Sequence, residues 1–157
     1  MKHNASKLSR VLEIVVWVLM GLTVAMLATL PWVVNMMMDL NSRAAEWDPA
    51  FWQPRYLITL GVSGVAALLM LWQARTLLHN AVIGEIFSMK TVRCLKVFSV
   101  EALATALFYV AMLFFGMTKF SVGIIALVFA LGGLIAWVFA GFFREAYEYK
   151  QENDMTI

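Results

Sequence analysis

The sequence is poor in the residues from which most metal, redox and acid–base sites are built. It has a single cysteine, Cys94, and two histidines, His3 and His79, among 157 residues. One thiol cannot form an internal disulfide, and the histidines show no zinc-ligand spacing. The sequence also lacks a glycine-rich phosphate loop and a Ser-His-Asp set. We therefore expect no enzyme activity, no cofactor and no metal site.

Charged residues are scarce as well, and this scarcity decides the class of protein. Asp, Glu, Lys and Arg make up 14% of the chain, against 62% hydrophobic residues and a mean hydropathy of +0.80. A soluble domain of this length could not bury so much apolar surface. The net charge of +2 is too small for a nucleic-acid-binding face. The composition predicts a protein that contacts the lipid bilayer and makes no direct contact with nucleic acid.

Four apolar runs are long enough to cross a bilayer, because its hydrocarbon core of about 30 Å needs roughly 20 helical residues. The first run is too long for the core of a cleaved signal peptide, so we expect a retained anchor. The pattern predicts an all-α, single-domain bundle of four transmembrane helices over 1–157, with the third and fourth helices extended into the cytoplasm. The expected spans are about 11–38, 56–79, 97–117 and 121–143. An outer loop, 39–55, a hinge, 80–96, and a tail, 144–157, complete the chain.

Lysine and arginine concentrate on one side of this predicted bundle. The amino-terminal segment and the hinge carry Lys2, Lys7, Arg10, Lys90, Arg93 and Lys96. The positive-inside rule therefore predicts that both termini and the hinge are cytoplasmic. Within the hinge, Gly84 can end a helix and Ser88 can cap the next one. We expect this segment to be the functional centre, held at the membrane surface.

Two charged residues flank the hinge at equal expected depth. Arg75 and Glu101 each lie about four residues, or roughly 6 Å, inside the same membrane boundary. The glutamate is too short to reach headgroup water as an arginine does, so it has the greater need of a partner. We predict an intramembrane ion pair between Arg75 and Glu101. Glu13 and Thr76 are competing neighbours, and contact with headgroup water is the alternative for both charges.

Small residues recur every four positions in the first and fourth spans. The two stripes are Gly21, Ala25 and Thr29, and Gly132, Ala136 and Ala140. Small residues let membrane helices approach closely. Either stripe could pack inside the bundle or join two copies in a homo-oligomer, and the sequence does not choose.

Two segments resemble motifs of a bacterial membrane family known as domain of unknown function 2975. The hinge is similar to Gly-x-x-Phe-Ser/Thr-x-x-Asn-x-x-x-Leu-Arg/Lys, with Thr91 in place of the asparagine. Its matching positions are Gly84, Phe87, Ser88, Leu95 and Lys96. The tail is similar to Glu-Glu-Asn-Asp-Leu-Thr-Val/Ile over residues 151–157, and Ala146 stands where a glycine is common. The resemblance covers most of the chain and implies four spans in the bacterial inner membrane.

The resemblance also implies a class of partner. Members of that family are often encoded beside a short helix-turn-helix protein of the Cro/CI type. We therefore predict a membrane-embedded interaction or regulatory protein whose hinge and acidic tail bind a small cytoplasmic partner, such as that regulator. A small transporter, or a permeability or stress factor, is the alternative. The expected partner-binding residues are Gly84, Phe87, Ser88, Leu95, Lys96, Tyr147, Glu152, Asn153, Asp154 and Met155.

Overall fold

The structure, a computed structural model, describes residues 2–41, 48–83, 86–115 and 120–154, apart from the side chains of residues 2–10, 41, 49 and 154. All regular structure within these residues is helical. The four helices are α1 (Lys2–Asn41), α2 (Pro49–Val82), α3 (Met89–Phe114) and α4 (Phe120–Asp154). Each contains a segment long and apolar enough to cross a membrane. The prediction of an all-α membrane protein with four packed helices is confirmed.

α2 and α3 begin before the apolar stretches, because polar residues cap their first turns. Asp48 precedes α2 and accepts a hydrogen bond from the backbone N–H of Ala50 at 3.0 Å. Pro49 suits the first turn, where its missing N–H would have no partner. Ser88 caps α3 and accepts from the N–H of Thr91 at 3.3 Å, as predicted. Much of the predicted outer loop and hinge is therefore helical.

The helices pack in chain order. Among the described residues, α1 contacts α2, α2 contacts α3 and α3 contacts α4, and no other pair of helices touches. The contact between α2 and α3 is the least extensive of the three. The fold is therefore two helical hairpins, α1–α2 and α3–α4, that meet along a narrower seam.

The side of α1 that faces α2 follows a heptad pattern. Its shielded residues alternate at spacings of four and three, which is typical of left-handed packing. They are Glu13, Val16, Met20, Thr23, Leu27, Leu30 and Val34, and the buried Met38 follows four residues later. The predicted stripe of Gly21, Ala25 and Thr29 is exposed on the other side of α1. That stripe takes no part in the packing of the described residues.

The side of α4 that faces α3 follows the same pattern. Its shielded residues include Val122, Ala126, Phe129, Gly133, Ala136, Ala140, Phe143 and Tyr147. Ser99 of α3 is fully buried and donates a hydrogen bond to the backbone oxygen of Gly133 at 2.7 Å. Ala136 and Ala140 are buried as the stripe would require, but Gly132 is exposed. The stripe therefore packs inside the bundle at Ala136 and Ala140 but not at Gly132, because one residue of rotation, about 100°, places Gly133 on the interface instead.

The seam between α2 and α3 is held by polar contacts at three levels. Near one end the hydroxyls of Ser63 and Tyr109 share a hydrogen bond. In the middle the Cys94 thiol donates to the side-chain oxygen of Gln73 at 2.9 Å. At the other end Asn80 donates to the Thr91 hydroxyl at 3.3 Å. Hydrogen bonds between membrane helices contribute about 0.6 kcal/mol each on average, so this seam depends on several weak contacts.

Candidate functional site

The hinge and the base of the tail meet at one end of the molecule. We call this the hinge end, the end at which α2 stops and α3 begins. The ring of Phe87 stacks on that of Phe143 in α4, with centroids 5.5 Å apart and planes at 30°. Because α3 and α4 are antiparallel neighbours, the carboxyl end of α4 must lie at this end. Two segments that are distant in sequence therefore form one surface.

Ser88 and Thr91 organise the start of α3. The Ser88 hydroxyl lies 3.3 Å from both the backbone nitrogen and the hydroxyl of Thr91. Thr91 is buried, and its hydroxyl accepts from the Asn80 amide. Thr91 stands where the family motif has an asparagine. In this chain the side-chain amide of Asn80, on α2, reaches the same place instead. This contact ties the end of α2 to the start of α3.

The last three turns of α4 carry acids on one face. The side chains of Glu145, Glu148, Tyr149 and Glu152 line an open cleft of about 300 Å³. Arg144 pairs with Glu148 at 2.8 Å, and Gln151 donates to the Tyr147 hydroxyl at 2.8 Å. Both contacts join residues four positions apart, which is the spacing that stabilises an exposed helix. The sequence predicted the acidic tail, and helical spacing would have predicted its single face.

The structure separates the predicted partner-binding residues into two kinds. Phe87, Lys96, Glu152 and Asn153 are exposed at the hinge end. Ser88, Leu95 and Tyr147 are partly shielded. Ser88 and Tyr147 also form hydrogen bonds within the chain, so their first role is to stabilise the fold. Gly84 and Met155 lie outside the described residues, as does the side chain of Asp154. Tyr149, which is 72% exposed, was missed.

The predicted ion pair between Arg75 and Glu101 is wrong, because Arg75 lies beside a different acid, Glu13. The Nε of Arg75 lies 3.8 Å from Oε1 of Glu13 on α1. Its guanidinium carbon also lies 4.7 Å from the ring centroid of Trp17 and 5.5 Å from that of Trp72. The reason is rotational: Arg75 lies on the side of α2 that faces α1, whereas Glu101 belongs to α3. Two indoles and one carboxylate therefore surround the guanidinium.

Glu101 lies in the α2–α3 seam, beside Gln73. The side-chain oxygen of Gln73 accepts a hydrogen bond from the Cys94 thiol at 2.9 Å. Within the described residues, no hydrogen bond reaches the buried Oε2 of Glu101. Gln73 and Arg75 are two residues apart, so they point about 200° apart around α2. Sequence reasoning missed Gln73. A polar residue two positions from Arg75 was nevertheless a signal that the opposite side of α2 also packs against a helix.

The side chains exposed at the hinge end are suited to binding a partner. In the part of the chain that the structure describes, no three His, Cys, Asp or Glu side chains come together as a metal site requires. At the hinge end, carboxylates such as that of Glu152, cations such as Lys96 and the aromatic ring of Phe87 are exposed. Such groups can recognise a charged partner at a membrane surface.

Comparison with known proteins gives one match. No curated protein and no solved structure matches the chain significantly. Residues 35–157 match the family described as Protein of unknown function (DUF2975). The match begins in the last turns of α1 and includes α2, α3, α4 and both resembling motifs. The chain therefore belongs to the DUF2975 family of proteins of unknown function.

Proposed function

We propose that this protein is a membrane-embedded interaction protein whose hinge end binds a small basic protein in the cytoplasm. The observation that carries the proposal is the projection of α4 beyond the hinge. The Phe87–Phe143 stack fixes the level of the hinge on α4. From there α4 continues to Asp154, which adds about 16 Å of charged helix. A charged, projecting helix beside an exposed aromatic ring is a suitable surface for a partner.

The chemistry of this surface favours a basic partner. Glu145, Glu148 and Glu152 share one cleft and outnumber the cations of the same segment. Each exposed ion pair contributes only about 0–1 kcal/mol and is weakened by salt. Apolar anchors must therefore supply much of the affinity. Phe87 and Tyr149, which are 50% and 72% exposed, are the available rings.

The orientation required by the proposal follows from the basic residues of the hinge. Lys90, Arg93 and Lys96 are exposed at the hinge end. Lysine and arginine near span ends favour the cytoplasmic side, so we place the hinge end in the cytoplasm of a bacterial cell. A Cro/CI-type helix-turn-helix regulator fits this side of the membrane, and its DNA-binding surface would supply the positive charge.

The test is recovery of the partner from native membranes. The tagged full-length protein is compared with a variant that lacks residues 151–157 and with Glu145→Gln/Glu148→Gln/Glu152→Gln. Both variants should lose a basic, DNA-binding protein identified by mass spectrometry, and raised salt should weaken its binding to the parent. Lys150→Gln is the matched control, because it removes a cation from the same helix and should retain the partner. Unchanged recovery with the triple variant, or no such protein bound to the parent, would refute the proposal.

A second candidate function, a small transporter, rests on Glu101. An ionisable residue within a membrane span is a functional-site candidate by default. The buried Oε2 of Glu101, with no hydrogen bond from the described residues, is the specific observation in its favour. Proteoliposomes that contain the parent protein or Glu101→Gln would test it. Solute or proton flux that is lost in the variant would favour transport over binding.

A further inference from the structure

A second cleft opens at the hinge end, in the seam between α2 and α3. It encloses about 370 Å³ and is separate from the acidic face of α4. Trp72 and Gln73 of α2 form one wall, and Met89, Lys90, Arg93 and Val97 of α3 form the other. The cleft exists because the α2–α3 contact is the least extensive in the fold.

Among the described residues, the charged groups that line this cleft are of one sign. They are Lys90 and Arg93. Arg93 is exposed and has no ion pair within the described residues. A planar guanidinium binds phosphate oxygens through two parallel N–H donors, and a nearby ammonium adds a second charge. The mouth of the cleft is therefore suited to a phosphate group.

The remaining lining combines polar residues, Gln73, Thr76 and Cys94, with the apolar side chains of Trp72, Met89 and Val97. Trp72 and Met89 are each 51% exposed, and Val97 is 39% exposed. From Met89 to Val97 the cleft follows α3 for about 12 Å at the helical rise. That length accommodates a phosphodiester headgroup and the first part of an acyl chain. A soluble phosphate would use the cations only, whereas a lipid would use both the cations and the apolar walls.

We propose that this cleft binds an anionic glycerophospholipid, with its phosphodiester at Arg93 and Lys90 and an acyl chain against Trp72 and Val97. Basic pockets between membrane helices are a recurring form of headgroup site. The lipid would fill the gap between the two hairpins and so stabilise their contact. This proposal is independent of which protein binds the tail.

The test uses the purified full-length protein in a neutral detergent. Binding of dioctanoyl phosphatidylglycerol is compared with that of dioctanoyl phosphatidylcholine and of glycerol phosphate. The anionic lipid should bind most tightly. Arg93→Gln should lower its affinity about fivefold, which corresponds to roughly 1 kcal/mol per cation at a membrane surface. Lys96→Gln is the matched control, because Lys96 is exposed on the same helix but does not line the cleft. It should change the affinity less than twofold.

A further variant separates a lipid site from a simple anion site. Val97→Trp fills the apolar part of the cleft, so it should weaken phosphatidylglycerol binding and leave glycerol phosphate binding unchanged. Equal losses from Arg93→Gln and Lys96→Gln would overturn the proposal, because they would indicate general surface attraction. Equal binding of the two lipids, or glycerol phosphate binding as tight as that of phosphatidylglycerol, would overturn it too.

Discussion

Arg75 shows how a charge is accommodated inside an apolar helix pair. Its guanidinium has Glu13 on one side and the rings of Trp17 and Trp72 nearby. Indole rings attract cations through their faces, by about 0.5–1 kcal/mol at exposed sites and more where water is removed. The carboxylate and the rings thus offset part of the hydration that the charge loses, and within the described residues no group accepts a hydrogen bond from the buried Nε. Arg75 is therefore a structural link between α1 and α2.

A double-mutant cycle distinguishes the two acids that could pair with Arg75. Arg75→Gln and Glu13→Gln should each destabilise the protein, and the double variant should lose about 1 kcal/mol less than the sum. The value is modest because the two side chains are 29% and 26% exposed. Arg75→Gln with Glu101→Gln is the control cycle and should be additive. The measurement is unfolding in mixed detergent micelles, and coupling to Glu101 instead of Glu13 would contradict the structure.

At this scale the sequence predicted the need for a partner but not its identity. Arg75 and Glu101 have equal depth along their helices, and depth can be counted from the sequence. The choice of acid depends on which side of α2 faces α1, and that rotation is set by the packing of whole helices. Glu13 was recognisable as a competitor only because it has a similar depth.

Among the helices, α3 and α4 depend on one glycine for their close approach. A methyl group at Gly133 would lie 2.8 Å from Cγ of Leu103 and 3.1 Å from the backbone oxygen of Ser99. The backbone oxygen cannot move away without a shift of α3. At Gly132, in contrast, an added methyl group would meet no atom within 4 Å among the described residues.

Adjacent glycines therefore give a matched pair of substitutions. Gly133→Ala should destabilise the α3–α4 hairpin by about 1–3 kcal/mol through overpacking. Gly132→Ala should leave stability unchanged or slightly raised, because alanine is the better helix former. Thermal unfolding in detergent measures both. Equal effects of the two substitutions would show that Gly133 is not at the interface.

The start of α3 depends on the Ser88 cap. Ser88→Ala should cost about 1 kcal/mol, because the N–H of Thr91 loses its acceptor. Ser88→Asp supplies another acceptor and should retain most of the stability. Hydrogen exchange of the first turn of α3 reports the change locally. Unchanged exchange in Ser88→Ala would mean that Asn80 and Thr91 alone fix this turn.

Local features of the elements were predictable, and the relations between elements were not. Ser88 lies three residues before Thr91, whose backbone N–H can donate a hydrogen bond to the serine hydroxyl. Its role as a helix cap can therefore be predicted from the sequence. The four spans are predictable from apolar length alone. A stripe of small residues, however, could include either of two adjacent glycines. Only the packing of α3 against α4 determines that Gly133, and not Gly132, lies at the interface.

In the whole molecule, two hairpins meet along a seam of separate polar contacts. The antiparallel order places the start of α1, the end of α2, the start of α3 and the end of α4 at the hinge end. The acidic cleft, the cleft between α2 and α3 and the aromatic stack all lie there. The proposed functions therefore require that this end face the cytoplasm.

Cysteine accessibility in whole cells tests that orientation. In a Cys94→Ala background, Leu40→Cys lies near the opposite end of α1 and Lys150→Cys lies on the projecting part of α4; both positions are exposed. An impermeant maleimide should label Leu40→Cys in intact cells. It should label Lys150→Cys only after the membrane is permeabilised, because the proposed orientation places the tail on the cytoplasmic side. The reverse pattern would show that the protein has the opposite orientation in the membrane, and this would exclude a cytoplasmic partner at the hinge end.

The central claim, that the hinge end is a docking surface for a basic cytoplasmic protein, is tested most directly by photocrosslinking in living cells. A photoreactive phenylalanine analogue replaces Tyr149, which lines the acidic cleft, or Phe120, which is 86% exposed at the opposite end. We expect a crosslink from position 149 to a basic, DNA-binding protein, reduced by Glu145→Gln/Glu148→Gln/Glu152→Gln and absent from position 120. Crosslinks to lipid alone at position 149, or the same protein captured equally from position 120, would contradict the account.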